Sequence, residues 1–238
     1  MKALISAAGM GYRMGDLTKN INKCALKING IPIIERLVNS LEQIGINEIY
    51  IIVGYQQQKI RDILKDRVIY LENNDYKSTG ILTSILQSKE VLINSDFLFM
   101  TGDSVMDISI LEAIIKNDLK DYILISVDEK ECDEEDCKVV MKGDKFIAIS
   151  KKVDSDDVLG EFTGLVRVNQ KLAKPFFEEI ENYIGSDDTS KILGDVLVVL
   201  QTLGYNVALQ TTESYYRTEI DFQSDLNKAK KDIIINNL

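Results

Sequence analysis

The sequence predicts an α/β protein built on a mostly parallel mixed sheet with helices on both faces. Two observations predict it. Short apolar runs alternate with amphipathic stretches over residues 2–127, the βαβα rhythm of parallel sheets. The runs are also apolar enough to be covered on both sides, as parallel strands are. A third observation concerns the rest of the chain. The rhythm changes after residue 127, so the later strands are expected to decorate and close the first sheet. With no repeat, low-complexity tract or linker in between, residues 1–238 read as one domain with halves 1–127 and 128–238.

The elements follow in order. Residues 2–7 (KALISA) read as a buried strand. In 32–44, Ile33, Leu37, Leu41 and Ile44 share one helical face, with Pro32 in a first-turn position that tolerates proline. Strands are expected at 48–53, 67–71, 96–101 and 121–127, and helices at 56–65, 79–93 and 108–117. The acidic run 128–136 (DEKECDEED) reads as a solvated loop, with a subunit contact as the alternative. Residues 137–142 and 145–150 flank Gly143-Asp144 as a hairpin. A strand at 161–168, helices at 171–184 and 189–203, a strand at 205–211 and a helix at 222–232 complete the chain.

Composition excludes several chemistries. The 38 Asp and Glu outnumber the 28 Lys and Arg, and a net charge of −10 repels nucleic-acid backbones. There is no histidine, so Ser-His-Asp and Cys-His catalysis and the usual histidine metal sites are ruled out. Cys24, Cys132 and Cys137 are an odd number without a disulfide or zinc pattern, which suits a reducing cytoplasm. No signal-type start and no stretch of the ~20 apolar residues that span a bilayer are present, so a soluble cytoplasmic protein without membrane partners is expected. A homodimer is left open.

A glycine-rich segment, Ala7-Ala8-Gly9-Met10-Gly11-Tyr12-Arg13-Met14, follows the first strand directly. Its backbone N–H groups can cradle phosphate oxygens, and Arg13 can bind the same oxygens in bidentate fashion. A dinucleotide fingerprint would need a third glycine where Met14 stands, and an acid closing a second strand. Glu35 has the distance but falls in a helix. A P-loop would need Gly-Lys-Ser/Thr. A bare glycine turn without ligand remains open on the glycines alone.

The following residues narrow the choice. Lys19, Lys23 and Lys27 recur every fourth residue, and Lys27-Ile28-Asn29-Gly30-Ile31-Pro32 leads into the long helix. A-A-G-x-G-x-R-M, then Thr18, Lys23 and x-G-x-P-x-I before a helix resembles the nucleotidyltransferases of the sugar-phosphate and phosphocholine cytidylyltransferase type. The likeness is tight over about the first 35 residues and looser beyond. It implies a Rossmann-like, GT-A-like three-layer sandwich, with a nucleotide-binding half (1–127) and an acceptor-binding half (128–238). It implies Ala7, Ala8, Gly9 and Gly11 as nucleotide contacts, Arg13 on the triphosphate and Lys23 on the α-phosphate, the last two as the catalytic pair. Asn22 stands where the family has proline, which puts the stiffness of the lysine's loop in question. Bringing one phosphate anion onto another requires positive charge on the α-phosphate and the leaving pyrophosphate, and no histidine.

Phe97-Leu98-Phe99-Met100 runs into Thr101-Gly102-Asp103 and places a carboxylate at the strand's C-terminal edge, where open α/β sheets bind ligands. Mg²⁺ takes one or two carboxylates plus phosphate oxygens and waters, so Asp103 is the first expected ligand. The resemblance supplies Asp221 as the second, in Glu219-Ile220-Asp221, with Glu219 as support or substitute. Helix capping by Asp221 is the alternative. Residues 73–88 resemble the segment after the family's third strand, implying Asn74, Thr79 and Gly80 on the nucleotide and Ser84 on the acceptor. A plain helix cap at Ser78 or Thr79 is the alternative. Residues 160–164 (GEFTG) resemble an acceptor-side strand, implying Glu161 against a cationic acceptor, with Tyr215 and Tyr216 as an aromatic wall; strand packing is the alternative. The short acceptor half and E-I-D resemble the CTP-using enzymes. CTP and a small phosphorylated acceptor (phosphocholine, a phosphonate or a relative) are therefore the expected partners. A sugar-1-phosphate nucleotidyltransferase using UTP, dTTP or GTP, a non-catalytic nucleotide sensor and a dehydrogenase are the competing functions.

Overall fold

The computed structural model describes residues 1–153, 155–185, 192–212 and 215–236. The apolar run at the start forms β1 (Lys2–Ala7), followed by two 3₁₀ segments at Tyr12–Thr18 and Lys23–Ala25. A small hairpin, β2 (Lys27–Ile28) and β3 (Ile31–Pro32), precedes α1 (Ile33–Gln43). The chain continues through β4 (Ile49–Val53), α2 (Gln57–Leu64), β5 (Ile69–Glu72), α3 (Ile81–Leu86), α4 (Lys89–Leu92) and β6 (Phe97–Thr101). Then come β7 (Ser104–Met106), α5 (Ile108–Lys116), β8 (Ile123–Asp128), β9 (Lys138–Lys142), β10 (Lys145–Ser150) and β11 (Val158–Val168). The last elements are α6 (Gln170–Gly185), α7 (Leu193–Thr202), β12 (Val207–Thr211), β13 (Arg217–Glu219) and α8 (Gln223–Asn236).

Nine strands make one mixed sheet in the order β10-β9-β11-β6-β1-β4-β5, with β8 pairing β11 and β12 beside it. β1 pairs in parallel with both β4 and β6, so these three strands end on the same edge, at Ala7, Val53 and Thr101. The long β11 runs antiparallel to β6, β8 and β9 and carries the sheet from the first half of the chain into the second.

Strand side chains alternate between the two faces. Leu4, Phe97 and Phe99 pack on one side against α3, α6 and α7, in a core that holds the ring cluster Phe97, Phe176 and Phe177. Ala3, Ile5, Leu98 and Met100 pack on the other against α1, α2 and α5. This is the expected three-layer sandwich. A third, smaller cluster joins Met14, Ile28, Ile33, Val105 and Ile220 to α8, which fastens the end of the chain beneath the first loop.

Several elements differ from expectation. The helix expected over 79–93 is two helices, α3 and α4, broken around a buried Ser88 whose hydroxyl donates to the carbonyl of Ile85 at 2.6 Å. A serine that bonds back on its own turn offers the backbone an alternative to the helical ladder. The hairpin β2–β3 was not foreseen, nor were the short strands β7 and β13. Pro32 ends β3 and caps α1 instead of lying in its first turn. The start of the helix expected at 189 falls on residues outside those described; the rest is α7. Among the described residues no helix is long and apolar enough to cross a membrane.

Gly102 lies at the sheet edge with its N–H donating to the carbonyl of Ser6 at 2.9 Å. A Cβ there would stand 2.8 Å from that same oxygen and 2.9 Å from Cys24 Sγ. Gly102→Ala is therefore expected to destabilise the protein by about 1–3 kcal/mol through overpacking. Urea denaturation checks this; unchanged stability would mean that the edge yields freely.

Candidate active site

The glycine segment leaves β1 and turns back at Gly11, whose φ of 60° belongs to the left-handed region. A Cβ at Gly11 would meet Lys23 Cβ at 3.0 Å, so the glycine also lets the two segments touch. Thr18 pins the turn, its buried hydroxyl donating to the carbonyl of Gly11 at 2.9 Å.

Asn22 resolves the question that its sequence position raised. Its φ of −66° is the angle proline would impose. Its side chain is fully buried and donates from Nδ2 to the carbonyls of Ala7 (2.8 Å) and Tyr55 (3.0 Å). Its Oδ1 accepts the N–H of Cys24 at 2.9 Å. Hydrogen bonds to two other segments and within its own turn thus supply the stiffness that a proline ring would have given.

Lys23 follows and turns inward, whereas Lys19 and Lys27 are exposed. Its Nζ lies 2.6 Å from Asp103 Oδ2 and 2.7 Å from Asp221 Oδ1. Arg13 reaches the other oxygen of Asp221, Nη2 to Oδ2, at 2.8 Å, with its guanidinium 5.5 Å from the centre of the Phe222 ring.

The two carboxylates meet because of the unforeseen strands. β7 leaves Asp103 and pairs antiparallel with β13, Ser104 opposite Glu219, and the N–H of Ile220 donates to the carbonyl of Asp103 at 3.1 Å. Asp221 does not cap α8. Asp225 does that work, its Oδ2 accepting the N–H groups of Asp221 (2.9 Å) and Phe222 (2.7 Å).

A cavity of about 410 Å³ opens at this edge, lined by Ala7, Gly9, Gly11, Arg13, Lys23, Asp103 and Asp221 together with Ser6, Tyr12, Cys24, Ile81 and Thr101. The structure thus gathers half of the residues singled out in the sequence. Others lie elsewhere. Ala8 is buried in the core and its carbonyl accepts from Tyr55 N–H. Asn74 is exposed away from the cavity.

Thr79 and Ser84 are held by the buried Asn73, whose Nδ2 is 3.0 Å from Thr79 Oγ1 and 2.9 Å from Ser84 Oγ. Neither they nor Gly80 line the cavity, which that segment enters through Ile81. Neither Ser78 nor Thr79 caps α3, whose cap residue is Gly80.

Glu161 is buried and already paired, its Oε2 2.7 Å from Arg217 Nη1 and 3.0 Å from Lys130 Nζ. Arg217, itself buried, also reaches Glu219 at 2.7 Å. Tyr216 lines the same acidic cleft and Tyr215 is exposed. Burial, and Asp232 beside it, push the Tyr216 hydroxyl above its usual range.

A second cavity of about 460 Å³ shares Ile81 and Thr101 with the first and adds Phe99, Phe162, Leu193, Lys151 and Glu219. Lys151 was not singled out in the sequence. It follows a strand in a plain Lys-Lys pair, which marks no function.

Charge at the rim is tightly balanced. Burial alone would push the Asp103 carboxyl up, but the Lys23 ammonium more than offsets it and holds the group below the usual range. The two acids in turn hold Lys23 protonated, against the cost of its own burial. Burial pushes Glu219 up to about 7, with Arg217 opposing and Asp103, Glu161 and Asp221 adding to the rise. Asp103 Oδ1 is buried with no hydrogen-bond partner among the described residues. An unpartnered buried carboxylate oxygen beside a second carboxylate is a hard-oxygen donor set of the kind that Mg²⁺ accepts alongside phosphate oxygens.

A glycine loop, the inward Lys23, the more exposed Arg13 and two carboxylates meet at one sheet edge. Residues 3–185 match the family of MobA-like NTP transferase domains, and the chain belongs to that family of nucleotidyltransferases. It is 30% identical over 203 residues to the bifunctional protein GlmU of Methanococcus vannielii, covering 83% of this chain but only 47% of that protein. The CTP:phosphoglutamine cytidylyltransferase of Campylobacter jejuni is 26% identical over 251 aligned positions, 95% of this chain and 98% of that one. The solved structure of CTP:phosphocholine cytidylyltransferase from Streptococcus pneumoniae shares the fold, with a TM-score of 0.80, 22% identity and 98% coverage of both chains.

Two predictions follow from the geometry. Asn22→Ala leaves buried carbonyls without a donor and is expected to cost about 1–3 kcal/mol, read by denaturant unfolding, with no loss if the loop is stiff without it. The raised Glu219 carboxyl makes the folded state bind more protons than the unfolded chain between the ordinary value of 4.5 and about 7. Its contribution is present below 4.5 and is lost as the pH climbs to about 7. Glu219→Gln in metal-free buffer is expected to flatten that decline across a pH series of unfolding curves. An unaltered slope would place the titrating group elsewhere.

Proposed function

We propose that this protein transfers the NMP of a nucleoside triphosphate, preferably CTP, to a small phosphorylated acceptor and releases pyrophosphate. The observation that carries the proposal is the Lys23 ammonium held between Asp103 and Asp221 at 2.6 and 2.7 Å, with Arg13 on the same carboxylate. A sensor needs cations for its nucleotide. It has no use for a buried pair of acids that those cations must neutralise.

In this reading the backbone of Gly9 and Gly11 cradles the nucleotide. Arg13 and Lys23 exchange carboxylate partners for phosphate oxygens, Arg13 on the triphosphate and Lys23 on the α-phosphate. Asp103 and Asp221, freed from their cations, would hold Mg²⁺. The metal supplies charge neutralisation for the phosphates. Lys23 stabilises charge on the α-phosphate as the acceptor oxygen attacks, and Arg13 steadies the departing pyrophosphate. The acceptor phosphate is already ionised at neutral pH, so the chain needs no strong base.

The second cavity is the natural acceptor site, because it adjoins the first, with Ile81 and Thr101 lining both. Lys151 offers it a cation for a phosphate, while Phe99, Phe162 and Leu193 offer an apolar wall. Such a wall suits the short carbon chain of a phospho-alcohol or phosphonate, and Thr101, Ser150, Asp195 and Glu219 line the same cavity with polar groups. The preference for CTP rests on the relatives named as cytidylyltransferases.

Pyrophosphate release should therefore be fastest with CTP and Mg²⁺ when CTP, UTP, dTTP and GTP are compared against phosphocholine, aminoethylphosphonate and hexose 1-phosphates. Preference for UTP, dTTP or GTP with a hexose phosphate would replace this reading with the sugar-1-phosphate one. Lys23→Ala is expected to lower turnover by about 10²–10³-fold while nucleotide binding persists. Full activity in that variant would remove Lys23 from the chemistry.

A further inference from the structure

The acidic run 128–136, expected as a plain solvated loop, is tied to the site. Glu135 Oε2 lies 3.0 Å from Arg13 Nη1 and 3.6 Å from Lys151 Nζ. Arg13 lines the glycine-loop cavity and Lys151 the neighbouring one, so a single carboxylate pairs with a cation from each. The loop is fixed from behind. Lys130 Nζ bridges Asp136 at 3.1 Å and the buried Glu161 at 3.0 Å. Within it, the N–H of Glu135 donates to Asp133 Oδ1 at 2.8 Å, and the N–H of Asp133 to Asp136 Oδ2 at 2.9 Å.

We propose that Glu135 is a specificity-setting gate, a carboxylate that occupies the place of substrate phosphate between Arg13 and Lys151 until a polyphosphate displaces it. The inference rests on the reading of Arg13 as a triphosphate ligand. A carboxylate and a phosphate compete for the same guanidinium donors in the same fork geometry. The side chains of Arg13 and Glu135 are 46% and 58% exposed, so their ion pair is weak enough to exchange. It still lowers the apparent affinity of any incoming anion by the fraction of molecules in which the gate is shut. A ligand with several phosphate oxygens overcomes this by meeting Lys23 and Arg13 together. A lone monoanion does not.

The probe is inorganic tripolyphosphate, titrated calorimetrically into wild type, Glu135→Gln and Glu134→Gln. Glu135→Gln keeps the shape of the side chain and removes its charge. Glu134→Gln removes one charge from the neighbouring exposed position. Glu135→Gln is expected to bind about two- to fivefold more tightly than wild type, as an exposed ion pair is worth, and Glu134→Gln clearly less so. Equal affinity of Glu135→Gln and wild type overturns the gate alone, as does an equal gain in both variants, which would reduce the effect to net charge. Failure of all three proteins to bind tripolyphosphate overturns the phosphate reading of Arg13 and the gate with it.

Discussion

The Lys23 ammonium between Asp103 and Asp221 is the interaction on which the rest of the site depends. Asp103 is partly buried just beyond the central strand β6, and Asp221 arrives from more than a hundred residues away just beyond β13, the partner of β7. Two carboxylates at one buried rim repel, and a buried charge is costly unless it is paired. Lys23 reaches both because Gly11 lets its segment pass close and because Asn22 stitches that segment to Ala7 and Tyr55. Lys23 thus ties the loop to the sheet edge and to the end of the chain, beside the β7–β13 pairing and the apolar cluster under α8.

The alternation of charge continues outward from that point. Asp221 meets Arg13, and Arg13 meets Glu135. On the acceptor side Glu219 meets Arg217, Arg217 meets Glu161, Glu161 meets Lys130 and Lys130 meets Asp136. A chain of net charge −10 concentrates acids here and spends its local cations on them. The arrangement separates two kinds of cation. Arg217 is enclosed and paired on both sides, so it organises acids. Arg13 and Lys151 are about half exposed, line the two cavities and share the exposed Glu135 as a partner.

Much of this was legible in the sequence, for physical reasons. The central strands are apolar on both faces and the helices carry one apolar stripe, so the sandwich followed from periodicity alone. The glycine loop, Arg13 and Asp103 stood out because their residue types and places suit phosphate and Mg²⁺ chemistry, whereas the role of Lys23 and the choice of Asp221 came from the family resemblance. Harder to see were the short strands β7 and β13, three residues each, whose pairing is what brings Asp103 to Asp221. The β2–β3 hairpin did carry a signal: Asn29-Gly30 takes positive φ at both positions, as an Asn-Gly hairpin turn does. Glu161 illustrates the limit of motif reasoning. Its place in the GEFTG segment was noticed, but the Arg217 and Lys130 that neutralise it come from distant segments, and sequence order does not show such partners. The acidic run is the exposed loop that its composition suggests, but its ion-pair partners lie across the fold and sequence order does not show them.

The central claim is that Lys23 holds the two carboxylates until metal and triphosphate take over its partners. A crystal structure of the protein with Mg²⁺ and a non-hydrolysable CTP analogue tests it most directly. The ion is expected on Asp103 and Asp221, with Lys23 Nζ moved onto an α-phosphate oxygen. An ion bound elsewhere, with Lys23 still lodged between the two aspartates while the nucleotide is present, would contradict the account.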